Sequence, residues 1–394
     1  MKTFEEAFEE LNKLLDTPEQ NWFFGAGVSA NANVPLMIPL TNRVSKILSE
    51  RGKGKYKQVF DAIRSALDGG AHVEHVLSHL GDLIALAQRS SSKSAHLKRK
   101  ALSLDLLEKT YKEIIAAIAI TIRCGYREGE GGSSNSCGTL EKPIVDVSDH
   151  LRFVDALLSS RANLEGRSRF TFFTTNYDTL LEDAMALRQR HVIDGFLGGS
   201  TGFWEPSCFS SEKDLSPRCH RIYKLHGSID WLIDSERRLI RARFGPKYFD
   251  SNFGILIYPQ ATKYVETQKD PFAVLFQAFR RTLSSESSNV LVVSGYSFGD
   301  DHINSEIEVA LSRQGSKCTL VTFSRELDGQ NGADSKLCPV LERWRLSETF
   351  GKRIYVASNK ALYANKGRFE RNGGAPLDWW KFTDLSQFLL TRSV

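Results

Sequence analysis

Cysteine is scarce and badly spaced for metal binding or cross-linking. The chain has six in 394 residues, Cys124, Cys137, Cys208, Cys219, Cys318 and Cys338, and no two form a C-x-x-C pair. This argues against a structural zinc site and a disulfide framework, and points to free thiols in a reducing compartment. No apolar run is long enough to cross a membrane. The opening MKTFEEAFEELNKLL is charged and amphipathic, unlike a signal peptide, so the chain is expected in the cytoplasm. Charge of one sign is not concentrated either. A net charge of +5 over a mixed background provides no basic block of the kind that grips nucleic acid, and the small cluster HLKRK (His96–Lys100) reads as a solvated helix end. No internal repeat is visible.

What is present is a chain long enough for a substantial core, either one large domain with a subdomain or two domains. Strand-like runs (WFF, RFTFF, RIYKL, GILIYP, NVLVVS, CTLVTF) alternate with helix-like segments such as DTLLEDAMALRQR and DPFAVLFQAFRRTL. This alternation predicts an α/β fold, a parallel sheet with helices on both faces. From about Tyr56 to Arg123 the spacing is mainly helical, with SSSKS as an interruption, which predicts an inserted helical subdomain; CGYREGEGGSSNSCGT reads as a flexible loop. The expected divisions are 1–55, the first part of the sheet domain; 56–150, the insertion and loop; 151–330, its main part; and 331–394, a C-terminal extension in which WRLSETF and PLDWWKF carry no readable motif. In the insertion, His72, His75 and His79 fall three and four apart, a spacing that metals can use. The glutamate is misplaced for H-E-x-x-H, and Leu77, Leu80 and Leu83 instead describe a packed helix with imidazoles along a polar edge.

The stretch NWFFGAGVSANANVP turns abruptly from apolar to small residues, and Gly25-Ala26-Gly27-Val28-Ser29-Ala30 fits G-x-G-x-x-G/A, where missing side chains let backbone amides approach a pyrophosphate. A dehydrogenase would need a second strand ending in an acid roughly 20 residues on. LTNRVSKILSERG has helical spacing instead. The more telling pattern is repetition. Four apolar runs end in small polar or ionisable clusters: WFF into Gly25–Ser29, FTFF into Thr174–Asp178, IYKL into His226-Gly227-Ser228, and VLVVS into Gly295–Asp300. In an open parallel sheet all would lie along the carboxyl edge, where ligands bind. Singly, Asp178, Asp300 or Asp301 could be a helix cap, His226 a core histidine and the glycines turn residues. Their coincidence favours a site.

The ordered set G-A-G-V-S, T-T-N-Y-D, L-H-G-S-I-D-W and G-Y-S-F-G-D-D-H-I-N resembles the sirtuin-like NAD-hydrolysing family of bacterial antiphage defence, over roughly Asn21 to Phe323. LIYPQATKY and DPFAVLFQAFRRTL also sit where that family has a Y-P-x-x-x-K-Y segment and a following helix. The resemblance implies a Rossmann-like domain with NAD as substrate and no metal. It places Gly25, Ala26, Gly27 and Ser29 at the pyrophosphate, Asn176 beside the scissile bond, and Asp178 near the carboxamide or ribose. His226 matches the catalytic histidine, Gly295 and Ser297 would face the adenosine ribose, and Thr175, Gly227 and Phe298 complete the expected NAD-contacting set. Two departures stand out. No cysteine lies between His226 and Gly295, so the zinc ribbon of sirtuin deacetylases is missing, and Val34-Pro35-Leu36-Met37 replaces the family's P-D-F-R.

Cleaving a nicotinamide–ribose bond passes through an oxocarbenium-like species, which oriented polar groups can stabilise without a strong nucleophile. An amide donates and accepts at once, and an imidazole can take a proton near neutral pH. The expected activity is therefore that of an NAD glycohydrolase giving nicotinamide and ADP-ribose. The alternatives are a protein deacylase or ADP-ribosyltransferase, and a catalytically silent NAD or ADP-ribose sensor. The resemblance further implies a bacterial cytoplasmic homo-oligomeric ring paired with a HerA-type ATPase, or less closely with a short Argonaute. The contacts would run through residues 56–123 and the C-terminal segment, and no nucleic-acid motif is present.

Overall fold

QNWFF forms β1 (Gln20–Phe24), buried at all five positions, as expected of a strand covered on both faces. The computed structural model describes residues 3–17, 20–129, 133–159, 170–209, 219–234, 236–243, 254–257, 270–285, 289–327, 336–373 and 376–393. After β1 come the hairpin β2 (Ser94–Leu97) and β3 (Lys100–Ser103), and the short pair β4 (Tyr126–Arg127) and β5 (Ser136–Cys137). Then follow β6 (Thr171–Thr174), β7 (His191–Ile193), β8 (Phe196–Gly198), β9 (Thr201–Trp204), β10 (Cys219–Lys224), β11 (Gly227–Ile233), β12 (Leu239–Ala242) and β13 (Gly254–Ile257). The last are β14 (Asn289–Ser294), β15 (Cys318–Phe323), β16 (Ile354–Ala357), β17 (Leu362–Ala364) and β18 (Gly367–Phe369).

Nine of these form the central sheet in the order β18-β17-β16-β15-β14-β1-β6-β10-β7. Every pairing from β16 to β7 is parallel, and β17 and β18 add an antiparallel edge. Alternation along β1 sends Trp22 and Phe24 to one core and Phe23 to the other. The first core is covered by the helices Phe4–Leu15, Ser148–Ser159, Leu180–Leu187 and Phe382–Thr391. The second is covered by the helices Phe272–Leu283, Asp301–Ser312 and Pro339–Leu346. The helix that leads from β1 to β6 thus lies on one face, and the helix after β14 on the other. Since β1 and β14 are neighbours, the crevice between them is the switch point of the sheet, where such folds bind ligands.

The insertion between β1 and β6 carries the helices Met37–Glu50, Lys55–Arg64, Val73–Arg89 and Leu104–Cys124 around its own apolar cluster. Val73, Val76, Leu77, Leu80, Leu83 and Ala87 recur at helical spacing and are buried, which explains the helix Val73–Arg89. Three expectations need correcting. HLKRK is a hairpin turn, not a helix end: Leu97 and Lys100 are cross-strand partners. The loop 124–139 contains the β4–β5 pairing, Tyr126 with Cys137, although residues 130–132 lie outside the described set. GILIYP does not join the parallel sheet; its residues 254–257 pair antiparallel with β11 in a second, five-stranded sheet ordered β13-β11-β12-β9-β8. The chain turns from β10 into β11 at Leu225–His226, with Gly227 at φ +82°, so no helical crossover can follow β10 directly. Most of YPQATKY lies outside the described residues.

The stretch beyond residue 330 is built into the fold. It supplies β16 to β18, and its helix Phe382–Thr391 buries Phe382, Leu385, Phe388 and Leu389 in the first core. Asn365 and Lys366 both have positive φ, 49° and 67°, the geometry of a tight hairpin between β17 and β18.

Candidate active site

The four polar clusters follow β14, β1, β6 and β10, which are consecutive in the sheet. They open onto a cavity of about 630 Å³, within the range of about 300–1,000 Å³ usual for small-ligand sites.

The glycines explain themselves by contact. A Cβ on Gly27 would sit 2.8 Å from the Gly295 Cα, one on Gly25 would sit 2.6 Å from the Gly295 carbonyl oxygen, and Gly295 has φ +66°. The loops after β1 and β14 therefore touch backbone to backbone, which only glycine allows. The Gly27 amide donates to the Gly295 carbonyl at 2.8 Å, and the Gly25 amide to that of Ser294 at 3.1 Å. These two amides are thus engaged within the protein, and Ala26–Ala32 forms a 3-10 helix.

Deeper in, three side chains form a directed chain. Asp178 accepts from the Leu180 amide on Oδ1 (3.1 Å) and from the Ser29 hydroxyl on Oδ2 (2.8 Å). With its hydroxyl hydrogen directed at the carboxylate, Ser29 Oγ accepts from Asn176 Nδ2 at 3.1 Å. The amide orientation follows. Asn176 Oδ1 is left with no hydrogen-bond partner among the described residues, in a side chain only 8 % exposed that lines the cavity. Buried polar atoms are nearly always paired in a native protein, so an orphan beside a cavity marks a place for a ligand group.

Asp300 is built the same way. Its Oδ1 caps the helix Asp301–Ser312 by accepting from the His302 amide at 3.0 Å, while Oδ2 lies 3.1 Å from His226 Nε2. Each aspartate spends one oxygen on a backbone amide at a helix start, Asp300 as the N-cap itself and Asp178 one residue before the cap Thr179, and each also lines the cavity. Beside them the Tyr177 hydroxyl donates to Glu74, and burial, reinforced by Glu74, raises the Tyr177 pKa well above its ordinary value, so the phenol stays protonated.

Of the expected residues, Ala26, Gly27, Ser29, Thr175, Asn176, Asp178, His226, Gly295 and Ser297 line the cavity. Gly25, Gly227 and Phe298 are not among its lining residues. Gly25 abuts the β14 loop, Gly227 begins β11, and Phe298, held at φ +58°, packs into the second core against Tyr296 and Trp344. Val34 to Leu40, which include the Val34–Met37 stretch standing where the resemblance would put P-D-F-R, form an apolar wall.

Other lining residues were not among those expected to contact NAD. His72 and Glu74 reach the cavity from the insertion, Arg325 from the loop after β15, and Cys338 and Trp380 from the C-terminal part. Arg325 lies 5.7 Å from the centre of the Trp380 ring, within cation–π reach. Burial raises the Cys338 pKa, which favours the inert thiol. His72 and His75 lie with ring centroids 3.9 Å apart, and no group of three or more metal-ligating side chains occurs among the described residues.

The family model described as SIR2-like domain matches residues 171–346. It supports a sirtuin-like family and NAD-related chemistry, and it spans Asn176, Asp178, His226 and Asp300 but not the glycine loop after β1. No curated protein matches the chain.

Proposed function

We propose that this protein hydrolyses the nicotinamide–ribose bond of NAD. The observation that carries the reading is Asn176 Oδ1, buried, unpartnered among the described residues, and fixed in direction by Ser29 and Asp178. A preoriented acceptor of this kind suits a ribose hydroxyl or an attacking water, and costs no reorganisation when charge develops on the sugar. His226, 3.1 Å from the Asp300 carboxylate, is placed to take a proton, with Asp300 orienting the ring and offsetting the positive charge formed. Gly25, Gly227 and Phe298 then act behind the site, by shaping loops.

The test is product analysis of the purified protein with NAD and no acylated peptide. Free nicotinamide with ADP-ribose in equal amount is expected. A requirement for an acyl-peptide would point to a deacylase, transfer of ADP-ribose to protein to a transferase, and binding without turnover to a silent sensor; any of these would overturn the hydrolase.

On the resemblance alone, the reading extends to NAD depletion in antiphage defence by a cytoplasmic homo-oligomeric ring paired with a HerA-type ATPase, with a short Argonaute as the less similar arrangement. The surfaces proposed for contact, residues 56–123 and the C-terminal segment, also supply His72, Glu74, Cys338 and Trp380 to the cavity wall. A partner docked there would touch the site directly. A fully active monomer in sedimentation, unchanged by the ATPase, would rule this out.

A further inference from the structure

Asp178 also lines a second, smaller cavity of about 260 Å³, walled by Asp183, Asp230 and Arg243 and by the aliphatic Val145, Leu180 and Ile229. Among its lining residues three carboxylates, Asp178, Asp183 and Asp230, face two guanidiniums, Arg123 and Arg243. Arg243 Nε donates to Asp230 Oδ2 at 3.2 Å, and its Nη2 lies 3.7 Å from Asp194, which also pairs with Arg241. Arg123, the other cation on the wall, donates to the Ile229 carbonyl at 2.9 Å. Asp230 is 3 % exposed, and its Oδ1 has no hydrogen-bond partner among the described residues. Asp183 accepts from the Thr179 hydroxyl at 2.8 Å, and burial pushes its pKa up, the sign of a carboxylate with too little compensation.

We propose that this cavity binds a small organic cation, with an alkylammonium group seated against Asp183 and Asp230 Oδ1 and its short hydrocarbon against Val145, Leu180 and Ile229. An anion would meet the carboxylates. A bare metal ion would meet aliphatic walls, and no metal-holding group occurs among the described residues. The volume lies below the range of about 300–1,000 Å³ usual for drug-sized ligands, which limits the occupant to a few carbons. Asp178 and Ile122 line both cavities, and Asp178 leads through Ser29 to Asn176. An occupant therefore bears on the carboxylate that orients Asn176, and by linkage each ligand changes the affinity for the other.

The probe is n-butylamine at matched ionic strength, with n-butanol as the uncharged control, followed by calorimetry and thermal unfolding of the full chain near pH 7. The amine is expected to raise the melting temperature as its concentration rises through the millimolar range, and the alcohol is not. Asp183→Asn should weaken amine binding at least tenfold, and Val145→Phe, which fills the cavity, should weaken it similarly. An equal response to both probes would reveal an apolar void only. No response to either would mean that a proton satisfies the carboxylates. Retained affinity in folded Asp183→Asn would move the ammonium elsewhere. Each of these overturns the proposal, and the measurement reads amine binding directly, so it stands or falls apart from NAD hydrolysis.

Discussion

Around the switch-point cavity, polar side chains are held in place with hydrogen-bonding capacity left over; around Lys224, next to the same aspartate, buried charges answer one another. Lys224 and Glu182 are 1 % and 3 % exposed, meet at 3.1 Å, and Lys224 also donates to the Asp178 carbonyl. Arg241 pairs with Asp194. Burial raises the Glu182 pKa, and Lys224 offsets this only in part. The difference teaches how two equally buried polar regions are told apart. In one, cutting a contact exposes an uncompensated charge and weakens the fold. In the other, an acceptor already lacks a partner among the described residues, so removing it harms what binds there.

The sharpest division should come from Asn176→Ala and His226→Ala. Each is expected to reduce nicotinamide release by about 10²–10⁴-fold, roughly 3–5 kcal/mol of barrier, while urea unfolding shifts by no more than about 1 kcal/mol. Near-normal turnover in either variant would remove that residue from the chemistry. The counterpart is Lys224→Met, which strands Glu182 and should cost about 3–5 kcal/mol of stability. The double variant Lys224→Met with Glu182→Leu should recover most of that loss. A single variant as stable as the wild type would dissolve the contrast.

Acid provides a third separation. Burial holds the pKa of His150 and His220 down to about 4, with Asp178 opposing the shift at His150 and Arg190 adding to the depression at His220. Unfolded histidine titrates near about 6.5, so between there and pH 4 the unfolded chain binds more protons. Stability should be level above about pH 6.5 and fall as pH drops through that window, by at most about 3 kcal/mol per histidine. Melting temperatures measured from pH 8 to pH 4 check this, and His220→Gln should flatten the fall.

The smallest effect expected is from Gly27→Ala. Its Cβ would lie 2.8 Å from Gly295, so the variant should lose about 1–3 kcal/mol of stability together with affinity for NAD. Weakened NAD binding at unchanged stability would instead restore the reading in which this glycine only clears a path for a phosphate.

Much of the frame was legible because burial on both faces leaves a simple imprint. QNWFF, FTFF and NVLVVS have no polar stripe, so they read as central parallel strands. Gly227 and GILIYP were harder, since a run of the same apolar character suits an antiparallel strand equally well. Short edge strands such as Leu362–Ala364 left no imprint.

The order and chemistry of the site were the sequence's own. Four strand ends carrying glycines, Asn176, Asp178, His226 and Asp300 mark the carboxyl edge of a sheet whichever way its strands are arranged, because in a parallel sheet side-chain clusters after strands must share one edge. Their pairing was not. That one oxygen of Asp178 meets Ser29, that Asp300 meets His226, and that Trp380 lines a cavity begun at Ala26 depend on contacts between residues far apart in the chain. Local propensity and spacing hold no record of such contacts, which form only when the cores on the two faces of the sheet bring the loops together.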